Sequence, residues 1–231
     1  MGPWNNPDFL PRARTALWPQ LPLLAAGSVL VCLAAMIPVL LAPGLTPVSV
    51  LIAAVTVGPA WAAVIAATDH IVHGGEPTVR SLLRGLVRHA TAGVTTALVP
   101  AVPAALALLS LTMYGAATPR PGWLLMPAGL ATTTATLAVL ASHAAFGLRI
   151  TGGLRGRDLW LTALALTARA PAIALGIVAV VFLGFLAGTG LTASLLLLLP
   201  GPVALLTSAG VWTIARRHFG LSPHRDAPAS P

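Results

Sequence analysis

Three side chains with metal-binding chemistry lie close together where the second long apolar segment of the chain ends. Asp69, His70 and His73 supply one carboxylate and two imidazoles, the latter at positions i and i+3. Zinc takes three or four such ligands in a defined geometry, and this set does not supply that geometry by itself. Polar side chains are also ordinary at the end of a membrane segment. We therefore predict no metal site and no cofactor.

Signatures of enzymes are missing from the rest of the sequence. It contains no HExxH motif, no P-loop and no nucleophile elbow, and the run GGLRG at 152–156 is too short to cradle a nucleotide. None of the five acidic residues falls inside a predicted span, since Asp69 and Glu76 flank a polar loop. Proton-coupled carriers usually bear carboxylates within the membrane, so this absence counts against that class. We predict that the protein is not an enzyme.

Two Gly-Pro pairs interrupt apolar segments: Gly58-Pro59 in the second predicted span and Gly201-Pro202 in the sixth. A proline removes one backbone donor and clashes with the carbonyl four residues earlier, so we predict helix kinks at both pairs. Broken helices in transporters expose carbonyl groups that coordinate ions or substrates. Gly and Pro are also ordinary in membrane helices, where neighbouring helices satisfy the freed groups. The pairs therefore leave a carrier open as an alternative.

Composition indicates which elements position these residues. Hydrophobic residues make up 57% of the 231-residue chain and charged residues only 8%, against about 25% charged in soluble domains. Because a spanning helix needs about 20 apolar residues, we predict an all-α, polytopic membrane helix bundle with about six transmembrane helices. It forms a single domain, residues 20–215, between a lead-in at 1–19 and a disordered tail at 216–231. The predicted spans are about 20–42, 46–70, 90–115 and 122–147, one within the run 158–188, and 190–215.

The arginines predict the orientation of this bundle, because positive residues are retained on the cytoplasmic side. With the spans above, eleven of the thirteen arginines fall on one side and only Arg120 on the other. Both termini are therefore predicted to be cytoplasmic. The arginines lie in short loops rather than on an extended basic face with interleaved aromatic residues, so we predict no binding to nucleic acid.

The polar loop after the second span contains an amphipathic segment, EPTVRSLLRGLVRH. Arg80, Arg84 and Arg88 recur at i, i+4 and i+8, with apolar residues such as Leu82 on the opposite side. Pro77 suits the first turn of such a helix. Basic amphipathic helices lie in the headgroup layer of a membrane. We predict that these arginines contact either lipid headgroups or another protein, and the sequence leaves both open.

Arg169 lies within the apolar run that begins near Asp158, which we predict as a helix N-cap. In a straight helix from Asp158 this arginine would lie about 16 Å deep, at a cost of at least ~2.5 kcal/mol. A break at Pro171 would leave 171–189 long enough to span and would let Arg169 reach the inner headgroups. We favour the break. An intramembrane Arg169 paired with Asp69 or Asp158 is the alternative.

Residues 46–94 combine an apolar helix containing Thr56, Gly58, Pro59 and Ala60 with a charged loop and the amphipathic VRSLLRGLVRH. This pattern resembles the YesL-type family of bacterial integral membrane proteins. The segment RDLWLTALALTARAPAIALGIVAVV is similar in style, and the resemblance covers about 20–215. It implies a multi-pass protein of the bacterial plasma (inner) membrane with an accessory role beside carbohydrate transporters, and it supplies no catalytic residues.

We therefore predict a non-enzymatic accessory or regulatory partner of a carbohydrate transport system. Its basic cytoplasmic loops would associate with transporter subunits, and its apolar helices with the lipid bilayer. The alternative is a small-solute carrier or channel that uses the kinked second and sixth spans.

Overall fold

The computed structural model describes residues 9–116, 122–190 and 199–220, and every regular element within those ranges is helical. A single 3₁₀ turn, Gly122–Leu124, precedes α6. The helices are α1 Phe9–Leu17, α2 Leu21–Leu41, α3 Pro47–Val72, α4 Val79–Arg88, α5 Ala90–Ala116, α6 Leu125–Ile150, α7 Gly156–Arg169, α8 Pro171–Gly190 and α9 Pro200–Phe219.

Four of these helices, α2, α3, α5 and α6, are long and apolar enough to cross a membrane. They contain 21 to 27 residues, against the roughly 20 that a bilayer core requires. The consecutive helices α7 and α8 supply a fifth candidate if a pair bent by 83° counts as one span. The prediction of an all-helical fold is thus confirmed, and four to five candidate spans among the described residues are long and apolar enough to cross a membrane. Residues 191–198, in the sixth predicted span, lie outside the described residues.

The break between α7 and α8 falls where the sequence predicts it. Helix α7 ends at Arg169, and α8 begins at Pro171. The prediction of a helix N-cap at Asp158 is wrong, since α7 begins at Gly156 and Asp158 lies in its first turn. A carboxylate there faces the positive end of the helix dipole without capping it.

Two reciprocal capping boxes and one glycine motif fix the ends of α3 and α4. Thr46 and Ser49 exchange side-chain and backbone hydrogen bonds at the start of α3, and Thr78 and Ser81 do the same for α4. Pro77 therefore precedes the cap and does not occupy the first helical turn. At the end of α3, Gly74 takes a φ of 83°, which only glycine adopts readily.

Helix α3 lies at the centre of the bundle and packs against most of the other helices. Its closest approach is to α5, where Gly58 faces Gly93. A Cβ atom on Gly93 would lie 2.6 Å from the carbonyl oxygen of Gly58 and 2.7 Å from Cα of Pro59. Because lipid supplies no hydrophobic drive between helices, small residues that let backbones touch are a principal source of packing energy.

Gly201 and Pro202 lie where the described part of α9 begins, directly after residues 191–198, which lie outside the described residues, so the kink predicted at this pair stays a prediction. Both lie in the first turn of α9, where a proline loses no helical hydrogen bond. The free N–H of Gly201 donates to Oγ of Ser28 over 2.7 Å, and that hydroxyl donates in turn to the carbonyl of Leu24. A serine of α2 thus accepts the hydrogen bond of a backbone N–H in the first turn of α9. A Cβ atom on Gly201 would collide with the backbone of α2. Pro59, by contrast, does lie inside α3.

The predicted boundaries of the bundle also change. Residues 9–17, predicted as part of a lead-in, form α1, and this helix packs against α9 with Ala13 only 2% exposed. Helix α9 continues through Arg216 and Arg217 to Phe219, beyond the predicted start of the tail at 216. Residues 221–231 lie outside the described residues.

Gly93→Ala should lower the free energy of unfolding by about 1–3 kcal/mol, because its methyl group would meet the α3 backbone. The matched control is Gly115→Ala in the same helix, where nothing lies within 4 Å of the added carbon. That variant should be neutral or should gain up to about 1 kcal/mol of helix propensity. Thermal unfolding in mild detergent measures both, and equal midpoints would contradict the close α3–α5 contact.

Candidate functional site

An open cleft of about 920 Å³ lies at the end of the bundle where α3 finishes. Its walls are the last turns of α3, the inward side of α4 and the residues that follow α6. The polar and charged residues lining it are Asp69, His70, His73, Ser81, Arg84, Arg88, His89 and Thr151. The remaining lining is small, mainly alanine and glycine, so the shape of the cleft is set by backbone rather than by bulky side chains.

Asp69 forms the floor of this cleft and is fully buried, with 0% of its surface exposed. The hydroxyl of Thr151, just after α6, donates to Oδ2 over 2.5 Å. Ser208 and Trp212 of α9 lie near the same carboxylate, but neither completes a hydrogen bond to Oδ1, which has no partner in the described part of the chain. A fully buried carboxylate with one unsatisfied oxygen is an uncommon and costly arrangement.

This position overturns the prediction that no acidic residue lies inside a span. Asp69 is in α3, three residues before its end, within a helix that can cross the membrane. The sequence places it at the edge of an apolar segment, where a solvated carboxylate would be ordinary. Only the packing of α6 and α9 against α3 removes it from water.

A layer of hydroxyl and aromatic groups surrounds the carboxylate and joins α3 to α9. Thr68 Oγ1 lies 2.9 Å from Ser208 Oγ, and both residues are buried. One turn further, the rings of His73 and Trp212 meet edge to face, with centroids 5.6 Å apart and an interplanar angle of 79°. These contacts fix α9 alongside the last two turns of α3.

The histidines that suggest a metal site do not converge on Asp69. His73 Nδ1 donates to the backbone carbonyl of Asp69 over 2.6 Å rather than to its carboxylate. The exposed ring of His70 lies over Gly75, in the space that a Cβ there would occupy. Within residues 9–116, 122–190 and 199–220, no three His, Cys, Asp or Glu side chains are placed to hold a metal ion.

The arginines predicted to contact headgroups or a partner divide between two surfaces. Arg84 and Arg88, one helical turn apart on α4, line the cleft. Arg80 lies outside it, on a shallow groove that also includes Leu83 and Val87. Arg169 is exposed at the end of α7 and lines neither surface. Guanidinium groups bind phosphate and carboxylate in a bidentate manner, so the cleft wall is suited to an anionic group.

The Gly-Pro pairs stand apart from this cleft. Gly58 and Pro59 pack against α5, and Gly201 packs against α2. Neither pair lines the cleft. The glycine of each pair allows close contact between helices, and the backbone carbonyl of Gly58 faces Gly93 rather than an opening.

No protein-family model, curated protein or solved structure matches this chain. The resemblance to the YesL-type family therefore stays a prediction from the sequence pattern.

Thr151→Val should lower the free energy of unfolding by about 1–3 kcal/mol, because it removes the hydrogen bond that the Thr151 hydroxyl donates to Asp69 Oδ2 while keeping the shape of the side chain. Thr133→Val is the control, since that exposed hydroxyl bonds only the carbonyl of Gly129 in its own helix. Thermal unfolding in detergent should separate the two variants. A Thr151→Val midpoint as high as that of the control would show that the carboxylate does not depend on this bond.

Proposed function

We propose that this chain is a six-span protein of a bacterial inner membrane, with both termini in the cytoplasm, and that it acts without catalysis as an accessory partner of a transport system. The observation that carries the proposal is the outer surface of α4. Val87 is 80% exposed and Leu83 53% exposed, and they share a shallow groove with Arg80, Arg84 and Arg88. Exposed apolar side chains framed by arginines match the composition of a protein-binding surface.

The anchoring of α4 supports the same conclusion. Its inward side is held by Leu82, which is 2% exposed, and by Gly85, which packs on Ala63 of α3. The capping box at Thr78 fixes its first turn. A helix that is rigidly held on one side and bears unpartnered leucine and valine side chains on the other presents a preformed surface, which lowers the entropy lost on binding.

A carrier is the second candidate, and Asp69 is the observation that favours it. Intramembrane carboxylates often mark ion pathways. Against this, the two Gly-Pro pairs that would supply open backbone carbonyls are packed against neighbouring helices. The cleft is lined by the last turns of α3, by α4 and by residues at the end of α6 and just after it, and none of the lining residues comes from α2, α5, α8 or α9.

The proposed orientation is tested with single cysteines in a Cys32→Ser background, Cys32 being the one cysteine of the chain. Leu45→Cys lies in the exposed connection before α3, and Arg155→Cys in the exposed connection before α7. A membrane-impermeant maleimide should label the first in intact cells and the second only after permeabilisation. The reverse pattern would overturn the proposal that the termini are cytoplasmic.

The accessory role is tested by purification from native membranes with quantitative mass spectrometry. Wild-type protein should retain transporter subunits in a fixed ratio. The triple variant Arg80→Gln/Arg84→Gln/Arg88→Gln should recover about tenfold less of these subunits or still less, because removing close interfacial charges costs more than about 1.4 kcal/mol of binding free energy. Arg155→Gln/Arg157→Gln changes two exposed arginines at the start of α7 that line neither surface of α4; it is the control and should retain the subunits.

The outcome that would contradict this function is selective solute flux in liposomes that contain this chain alone. Flux abolished by Asp69→Asn and preserved in the triple arginine variant would instead establish the carrier. Loss of the transporter subunits from the Arg155→Gln/Arg157→Gln control as well would show that charge alone, rather than the α4 surface, holds the complex.

A further inference from the structure

We infer that the cleft between α3, α4 and α6 binds a phosphate ester that carries no ammonium of its own, which is the chemistry of an anionic phospholipid headgroup. A soluble phosphate ester such as glycerol 3-phosphate is a second source of the same chemistry. The site requires only the cleft of this chain and no protein partner, so it is independent of the function proposed above.

Arg84 and Arg88 supply the positive charge for the phosphate. They lie one helical turn apart on α4, and both line the cleft. The helix itself holds the Cβ atoms of such a pair about 5–6 Å apart. Each guanidinium carries five N–H donors, so an arginine that makes a contact within the chain keeps donors for a ligand. Two guanidinium groups on one helix face can therefore hold the oxygens of a single phosphate.

The backbone that carries these two arginines lies directly against α3. A Cβ atom on Gly85, which lies between them in the sequence, would be 3.8 Å from Cα of Ala63. Gly85 and Ala63 both line the cleft. The arginines therefore extend from a helix that is already in place, and a ligand does not have to order it.

The cleft offers no carboxylate to a positively charged group. Asp69 is the only acidic residue of the described chain that lines it, and this residue has 0% exposed surface. Its carboxylate receives the hydroxyl of Thr151 and lies beside Ser208 and Trp212, which are outside the cleft. The exposed Glu76 does not line the cleft either. An ammonium in the ligand would find no counterion here, so charge complementarity favours an ester of net negative charge.

The remaining lining favours the lipid as the source of the phosphate. The Ser81 hydroxyl belongs to the capping box of α4, and the Thr151 hydroxyl already donates within the chain. Alanine and glycine residues and Ile150 make up most of the other walls. A soluble ester would thus find few groups that recognise its polar part, whereas a lipid needs only its phosphate bound.

The position of the cleft supports the same source. Helix α3 has 26 residues, more than the roughly 20 that cross the hydrocarbon core, so one of its ends can reach the headgroup layer. The cleft lies beside the last turns of this helix, and its volume of about 920 Å³ is that of a small-molecule site. Basic pockets between membrane helices bind anionic headgroups in this way.

The test uses the full chain, purified and delipidated in a neutral detergent, with binding read by native mass spectrometry. The probes are dioctanoyl phosphatidylglycerol, dioctanoyl phosphatidylcholine and free glycerol 3-phosphate. Phosphatidylcholine carries the same phosphodiester, neutralised by its own ammonium. Wild-type protein should bind phosphatidylglycerol at least about tenfold more tightly than phosphatidylcholine, and Arg84→Gln/Arg88→Gln should lose that preference.

Two variants show whether charge alone or the cleft itself is responsible. Arg155→Gln/Arg157→Gln removes the same number of positive charges from exposed positions outside the cleft, and it should bind like wild type. Ala66→Leu places a larger apolar side chain on the α3 wall without changing any charge. It should weaken binding of phosphatidylglycerol by about tenfold, because it fills space that the headgroup would occupy.

Ala66→Leu also separates this inference from the accessory role, because it leaves the outer surface of α4 unchanged. The variant should still retain transporter subunits in native membranes while it loses affinity for the lipid. Arg84 and Arg88 are exposed, so their double variant should keep the wild-type unfolding midpoint. It therefore tests the site even if Ala66→Leu fails to fold.

Three results would overturn the inference. They are equal affinity of wild-type protein for the two lipids, an equal loss of preference in Arg155→Gln/Arg157→Gln, and an Ala66→Leu variant that folds and binds like wild type. Glycerol 3-phosphate distinguishes the sources of the phosphate. Binding that requires acyl chains supports the lipid, and equally tight binding of the free compound supports a soluble ester in the same cleft.

Discussion

Contact between the backbones of membrane helices is the constraint on which the rest of this structure depends. Lipid tails are as apolar as leucine side chains, so helices gain little by burying apolar surface against each other. This chain compensates with glycine and alanine where helices cross. Gly58 meets Gly93 between α3 and α5, Gly27 meets Val64 between α2 and α3, and Gly201 meets Leu24 between α9 and α2.

Hydrogen bonds between distant parts of the chain add to this close packing, and several of them lie near the end of α3. The hydroxyl of Thr151 bonds Asp69, Thr68 contacts Ser208, and Arg149 donates to Thr96 of α5 over 3.0 Å. These contacts join residues that lie 53 to 140 positions apart in the sequence. The same tight packing that buries Asp69 leaves an open cleft beside it, because the short helix α4 turns back along α3 without filling the space. Asp69 therefore belongs both to the hydrogen bonds that hold the bundle together and to the residues around the cleft.

Much of the site on α4 could be predicted from the sequence, whereas its floor could not. Arginines at a spacing of four residues, opposite leucine, specify one face of a helix whatever surrounds it. The burial of Asp69 depends on Thr151, which lies 82 positions away, and on α9, and no local pattern encodes either neighbour. The contact of Gly201 with α2 could not be predicted for the same reason, because its hydrogen-bond partner Ser28 lies 173 positions earlier. The sequence pattern that precedes Pro202 is equally consistent with a kink and with a helix start.

Local chemistry alone determined that this protein is helical, that several helices can cross a membrane, and that α7 and α8 break before Pro171. Apolar length and proline sterics act within a few residues and require no partner. Only the tertiary structure decided which polar groups face each other. A carboxylate at the end of an apolar segment is solvated or buried according to the helices packed around it, and that packing is a property of the whole chain.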